Sequence, residues 1–300
     1  MQNYQNQVRL LLDVLPTVAR EKVFALHGGT AINLFVRNMP RLSVDIDLTY
    51  LPLDEGNREI ALKDIYDALE RIKTDLEKKG LRVVHQSDKY KLQVSSQNAQ
   101  IKVEVNSTGR GTLPAPQKMI LCNRAQDEFD AFVEMNVVPF GQLYGGKICA
   151  ALDRQHPRDL FDVKYLLENE GFSEDVKQGF ILCLAGSGRP IHELVQPNRQ
   201  DQRQVMENQF DGMTIDAFCY EDFERVREQL IEAIHARLTD LDKEFIMSVE
   251  SGNPRWDIYN FADFPAVRWK LQNIEKLIAN DAYKHLSQLK ELEEKLRLQR

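Results

Sequence analysis

Asp45 and Asp47 stand two residues apart in Ser43-Val44-Asp45-Ile46-Asp47-Leu48, where apolar and polar residues alternate. That period belongs to a half-buried strand, in which residues i and i+2 project from the same face. Two carboxylates are therefore held side by side. Such a pair repels itself unless a cation lies between, and an all-oxygen set favours Mg²⁺ or Mn²⁺ over zinc. Aspartate is a poor strand former, so two in one short strand need a reason beyond solvation; decoration of a solvent face is the competing reading. Glu104, in Lys102-Val103-Glu104-Val105, lies on the polar side of another short strand. It is a candidate third metal-binding carboxylate, or an ordinary surface charge.

Gly28-Gly29-Thr30 follows the apolar run 23–26 and precedes the helix-compatible stretch 31–38. A strand, glycine turn and helix in that order bring backbone N–H groups close to a phosphate, although a glycine pair alone more often only makes a turn. Residues 141–147 nearly match the phosphate-loop pattern of NTPases, but Ile148 replaces the hydroxyl that would meet magnesium and the preceding strand signal is weak. Lys147 shares a mostly apolar helix face with Leu143, Ala150 and Ala151, so it either snorkels or faces a buried anion. Arg154, Arg158, Asp159 and Asp162 follow within a few turns and read, at their plainest, as a surface salt-bridge ladder of small energetic weight.

These residues need a frame. Helical spacing of Val8, Leu11, Leu12 and Leu15 predicts a first helix over 4–15, which Pro16 should stop. Alternation predicts strands near 23–26, 43–50, 81–85, 90–94 and 101–105, with 119–122 and 132–138 extending or edging the sheet. A helix over 57–79 ends at the cap-like Gly80. From residue 142 the period turns helical, breaks at Pro157 and resumes over 158–167. Residues 186–197 carry glycines and prolines and read as a loop. Long helices are expected over 222–241 and 263–298, the last with an apolar stripe of Val267, Leu271, Ile274, Leu277, Ile278, Leu286, Leu289, Leu292 and Leu296. Trp256 and Trp269 are expected in the core. No internal repeat is visible.

The 300 residues, 43% apolar and 28% charged, suit one large or two ordinary globular domains and exclude disordered or fibrous chains. No stretch approaches the roughly 18 apolar residues of a membrane span, and the start lacks the basic and small-residue features of a leader, so a cytoplasmic protein is expected. Cys122, Cys149, Cys183 and Cys219 show neither disulfide nor zinc spacing and read as buried thiols. A net charge of −7 argues against a general nucleic-acid coat but permits a local basic groove, for which Arg20, Lys22, Arg37, Arg41, Arg154 and Arg158 are candidates.

Taken in order, His27-Gly28-Gly29-Thr30, Arg41-x-Ser43-x-Asp45-Ile46-Asp47-Leu48, Lys147 and Arg158-Asp159-Leu160-Phe161-Asp162 resemble the AbiEii-type nucleotidyltransferase toxins of the polymerase-β-like superfamily. The motifs cover roughly residues 20–170. The resemblance implies an α+β fold. A nucleotidyltransferase core over 1–140, with a small mixed sheet flanked by helices, would precede a mainly helical domain over 141–300 that contributes Lys147 and Asp159. It further implies that Asp45 and Asp47 bind Mg²⁺ (or Mn²⁺) and the triphosphate of an NTP substrate. Gly28, Gly29 and Thr30 would cradle phosphates beside Ser43, Lys147 would grip the triphosphate, Asp159 would be an essential acid, and Glu104 would join the metal or activate the acceptor. Many relatives lack that third acid. The implied acceptor is RNA such as a tRNA 3′ end, and an antitoxin is an implied partner. A protein or small-molecule hydroxyl as acceptor, or a non-catalytic nucleotide-binding protein, are the alternatives.

Overall fold

Alternation along the first half builds one sheet. In a computed structural model describing residues 2–53 and 58–297, the strands are β1 (Phe24–His27), β2 (Asp45–Tyr50), β3 (Arg82–Gln86), β4 (Lys91–Ser95), β5 (Gln100–Asn106), β6 (Gln117–Ile120) and β7 (Glu134–Val137). They form a seven-stranded mixed sheet in the order β3-β4-β5-β2-β1-β7-β6. β2 runs antiparallel to β1 and parallel to β5. This unit comprises Met1–Pro139 together with Asp211–Ala217. Its helices are α1 (Gln2–Val18), the single turn α2 (Gly28–Ala31), α3 (Arg58–Lys78) and α4 (Asn123–Phe129).

Ile46 and Leu48 of β2, Leu92 and Val94 of β4, and Val103 and Val105 of β5 are buried on one sheet face. α1 packs on β2 and β5, and α3 on β3 and β4, closing that face with Leu11, Leu15, Ile65, Leu69, Ile72 and Leu76. The alternate positions of β2 are thus left for the carboxylates. α3 begins at Arg58 and ends before Gly80, whose φ of +82° fits the expected cap; Asn57, expected as its first residue, lies outside the described residues.

Pro16 does not stop α1, which runs on to Val18 with an Ala19 N–H to Leu15 oxygen bond of 2.8 Å. The proline removes one N–H that would reach back four residues, and the Ala19 bond still closes the turn beyond it. α2 starts at Gly28 itself, with φ +71°, and passes directly into a π-helical turn, Ile32–Val36. The glycine turn and helix start are therefore one feature.

The second unit, Phe140–Phe210 with Phe218–Arg300, is helical. It contains α5 (Phe140–Arg154), α6 (Pro157–Asn169), α7 (Glu174–Ala185), α8 (Ile191–Val195), α9 (Arg203–Gln209), α10 (Tyr220–Arg237), α11 (Asp240–Glu250), α12 (Pro265–Asn280) and α13 (Ala282–Arg297). The stretch 141–147 is part of α5, not a phosphate loop. Gly145 and Gly179 bring the backbones of α5 and α7 together: a Cβ on Gly145 would stand 2.3 Å from the carbonyl carbon of Gly179.

Several expectations are corrected here. The loop over 186–197 contains α8, because Ile191, Leu194 and Val195 are buried. The helix expected over 222–241 ends at Arg237; Thr239 then caps α11, accepting from Asp242 N–H, with the Asp242 carboxylate answering on Thr239 N–H. The helix expected over 263–298 breaks at Asp281, and its intended last residue, Leu298, lies outside the described residues. In α13 the buried line is His285, Leu292 and Leu296, while Leu286 is exposed. Trp269 is 45% exposed and is not a core anchor; Trp256 is half-buried near Phe245. Cys219 is exposed, and the other three thiols are half-buried. Among the described residues no helix is long and apolar enough to cross a membrane.

Candidate active site

The strand β2 holds Asp45 and Asp47 half-buried on the face opposite Ile46 and Leu48. Register places His27 of β1 opposite Asp47, and Asp47 opposite Glu104 of β5. The neighbouring turn is fitted to this acid: a Cβ on Gly28 would lie 2.4 Å from Asp47 Oδ2. Only glycine accepts both that approach and the positive φ.

Ser43 and Asp45 are tied to the turn from the other side. Thr30 Oγ1 donates to the Asp45 carbonyl oxygen at 2.5 Å and shares a 2.9 Å hydrogen bond with Ser43 Oγ. Thr30 is fully buried, and its hydroxyl is spent within the protein. Asn33 Nδ2 donates to the Gly29 carbonyl at 2.9 Å and braces the same turn. Gly28, Gly29, Thr30, Ser43, Asp45 and Asp47 are thus brought together within one unit.

Glu104 is placed differently. It shares the face and register of Asp47, but its side chain is half exposed and pairs with Lys91 Nζ at 2.8 Å. Among the described residues no group of three or more His, Cys, Asp or Glu side chains is gathered as a metal cage. The donor set at hand is the β2 pair, which suits Mg²⁺, an ion that keeps several waters and takes one or two carboxylates plus substrate phosphates.

Lys147 and Asp159 form a second constellation, inside the helical unit. Lys147 Nζ lies 2.8 Å from Asp159 Oδ1 and 3.1 Å from Asp162 Oδ2, and all three side chains are buried. Arg154 adds bonds to both oxygens of Asp159, at 2.6 and 3.0 Å. This is not a surface ladder: Lys147 and two carboxylates meet out of water, and Arg154, itself exposed, reaches Asp159 from the solvent side. Burial alone would raise the pKa of Asp159, but the charge of Lys147 and the bonds from Arg154 hold it well below the usual carboxylate range. His156 caps α6, accepting from Arg158 N–H at 3.1 Å, and burial with the Arg158 charge pushes its pKa down to about 4.

Sequence reasoning left Asp162 and Arg41 outside the site. Asp162 was legible as the i+3 neighbour of Asp159 on one helix face. Arg41, assigned to a solvent groove, is only 3% exposed. Two of the other groove candidates carry acidic partners: Arg20 pairs with Asp75 and Arg154 with Asp159.

Comparison with known proteins gives the class to which this mixed sheet, with its paired acids and Gly-Gly turn, belongs. The chain is similar to MenT4, a nucleotidyltransferase toxin from Mycobacterium tuberculosis H37Rv, with a TM-score of 0.59 and 14% sequence identity, over 91% of this chain and 93% of that one; at such identity the likeness speaks for the fold. No curated protein matches. The family described as nucleotidyl transferase AbiEii toxin, type IV toxin–antitoxin system, matches residues 9–273, and the chain belongs to that family. It is a nucleotidyltransferase.

Proposed function

We propose that the enzyme transfers the NMP moiety of an NTP to an acceptor hydroxyl with release of pyrophosphate, and that the acceptor is RNA, such as a tRNA 3′ end. The observation that carries the site assignment is the close fit of the Asp47 carboxylate to Gly28, which joins the acidic pair to a phosphate-binding turn. Asp45 and Asp47 would hold Mg²⁺ through oxygen. When bound, that ion supplies charge neutralisation for the triphosphate and the departing pyrophosphate. The backbone N–H groups of residues 28–30 would hold phosphate oxygens, and the Thr30 clamp would keep Ser43 and Asp45 in place. The protein's contribution is positioning and fixed charge rather than a covalent intermediate.

For Lys147 the family resemblance implies a role on the triphosphate; within the helical unit its amine is oriented by Asp159 and Asp162. Glu104 would have to leave Lys91 before joining the metal or activating the acceptor. The acceptor assignment rests on the toxin family: the modified molecule must be one whose loss arrests growth, and a tRNA 3′ hydroxyl meets that condition. The cytoplasm, where NTPs and tRNA occur together, is the corresponding place of action, with an antitoxin as its counterpart.

Incubation of the protein with each α-labelled NTP, Mg²⁺ and total cellular RNA tests this. Label should enter the RNA fraction only with Mg²⁺, and folded Asp47→Ala should transfer none. Full transfer by that variant removes the metal role; label in protein or small molecules reassigns the acceptor; no transfer by the parent protein favours nucleotide binding without catalysis.

A further inference from the structure

The chain returns to the sheet-bearing unit at Asp211–Ala217, and this segment is pinned beside the turn. Thr214 forms an antiparallel bridge with Arg41. Leu42 N–H donates to the Met213 carbonyl at 2.8 Å, and Ile215 N–H to the Pro40 carbonyl at 3.1 Å. Met213 is buried, whereas the Ile215 side chain is 52% exposed, so the segment is held mainly by its backbone and one apolar anchor.

Arg41 carries this bracing inward. Its Nη1 donates to the Leu42 carbonyl at 3.0 Å. On its other side the guanidinium rests on Gly29, where a Cβ would stand 2.7 Å from Arg41 Nη2 and 3.2 Å from Ser43 Oγ. Ser43 bonds Thr30, and Thr30 bonds the Asp45 carbonyl. A continuous line of contacts therefore runs from the returning segment through Arg41 to the turn and the first aspartate.

We propose that Arg41 is a positioning residue for the phosphate-binding turn and that residues 211–217 are the strap that holds it. The planar guanidinium supplies a rigid wall against Gly29 that a lysine cannot copy. What the turn binds rests on the reading given under Proposed function; the bracing itself does not.

The test uses Ile215→Pro in the full-length protein, which deletes one strap hydrogen bond, against Ile215→Ala, which keeps it. Met213→Ala and Arg41→Lys serve as independent variants. Amide exchange at Leu42, Thr30 and Ser43 reads the brace without nucleotide; affinity for a non-hydrolysable NTP with Mg²⁺, and KM against kcat, read its consequence. Ile215→Pro, Met213→Ala and Arg41→Lys should speed exchange and weaken nucleotide binding about fivefold or more, the effect of roughly one net hydrogen bond. KM should rise more than kcat falls, and Ile215→Ala should match the parent. Faster exchange with parental affinity overturns the positioning role, and unchanged exchange overturns the strap. If the parent itself binds no nucleotide, the site assignment fails, while the exchange data still decide the bracing.

Discussion

Asp47 Oδ2 lies where a side chain on Gly28 would have to go: the distance to an ideal Cβ there is 2.4 Å. Gly28→Ala must therefore displace the carboxylate or the turn, and its φ of +71° adds strain of about 1–2 kcal/mol. Transfer activity should vanish while the far-ultraviolet spectrum persists, with only a modest fall in Tm. Retained Mg²⁺-dependent transfer would show that the close fit has no bearing on the reaction.

Lys147 neutralises two buried carboxylates, and Lys147→Met removes that charge from beside both Asp159 and Asp162. Removing one partner of a buried ion pair costs about 3–5 kcal/mol. Urea denaturation should show a loss of that size, partly restored in Lys147→Met/Asp162→Asn. Equal stability of the single and double variants would mean that water already screens the cluster.

His156 gives the fold a pH dependence of defined sign. Its pKa falls from the ordinary 6.5 to about 4 on folding. The neutral cap thus contributes fully above the unfolded value, and the contribution is lost as pH falls through the folded one. Protonation removes the Nδ1 acceptor of the α6 cap, worth about 1 kcal/mol. His156→Asn keeps a cap that does not titrate, so the parent should lose more stability than the variant between about pH 7 and pH 4. Parallel urea midpoints across that range would refute the assignment.

Gly145 meets backbone, not flexible side chain, so its neighbour cannot yield. Gly145→Ala would place a methyl 2.3 Å from the Gly179 carbonyl carbon and 2.4 Å from Phe180 N, forcing α5 and α7 apart. The expected loss is about 1–3 kcal/mol, the usual range for overpacking. Gly188→Ala, with open space around its would-be Cβ, is the control and should leave Tm unchanged.

Legibility in the sequence followed the range of the interactions. β2 and its same-face aspartates were readable because alternation is local, and the Gly80 stop because a cap is local too. The break at Asp281 was not, since no glycine or proline marks it. The exposure of Trp269 depends on what packs around α12, which periodicity does not report. Likewise the burial of Asp159 and Asp162 required Lys147 and Arg154 to converge from the preceding helix. Arg41 was the hardest to place: its surroundings come from residues 211–217, far along the chain, and no spacing rule links them.

That distant supply has a consequence for synthesis. Residues 140–210 separate the sheet-bearing portion from the piece that completes it, and ribosomes add roughly 5–20 residues per second. A nascent chain therefore carries an unfinished turn for about 4–16 s after Pro139 is made, until Ala217 is added. For a molecule whose activity harms its own maker, the order of translation is itself a brief safeguard.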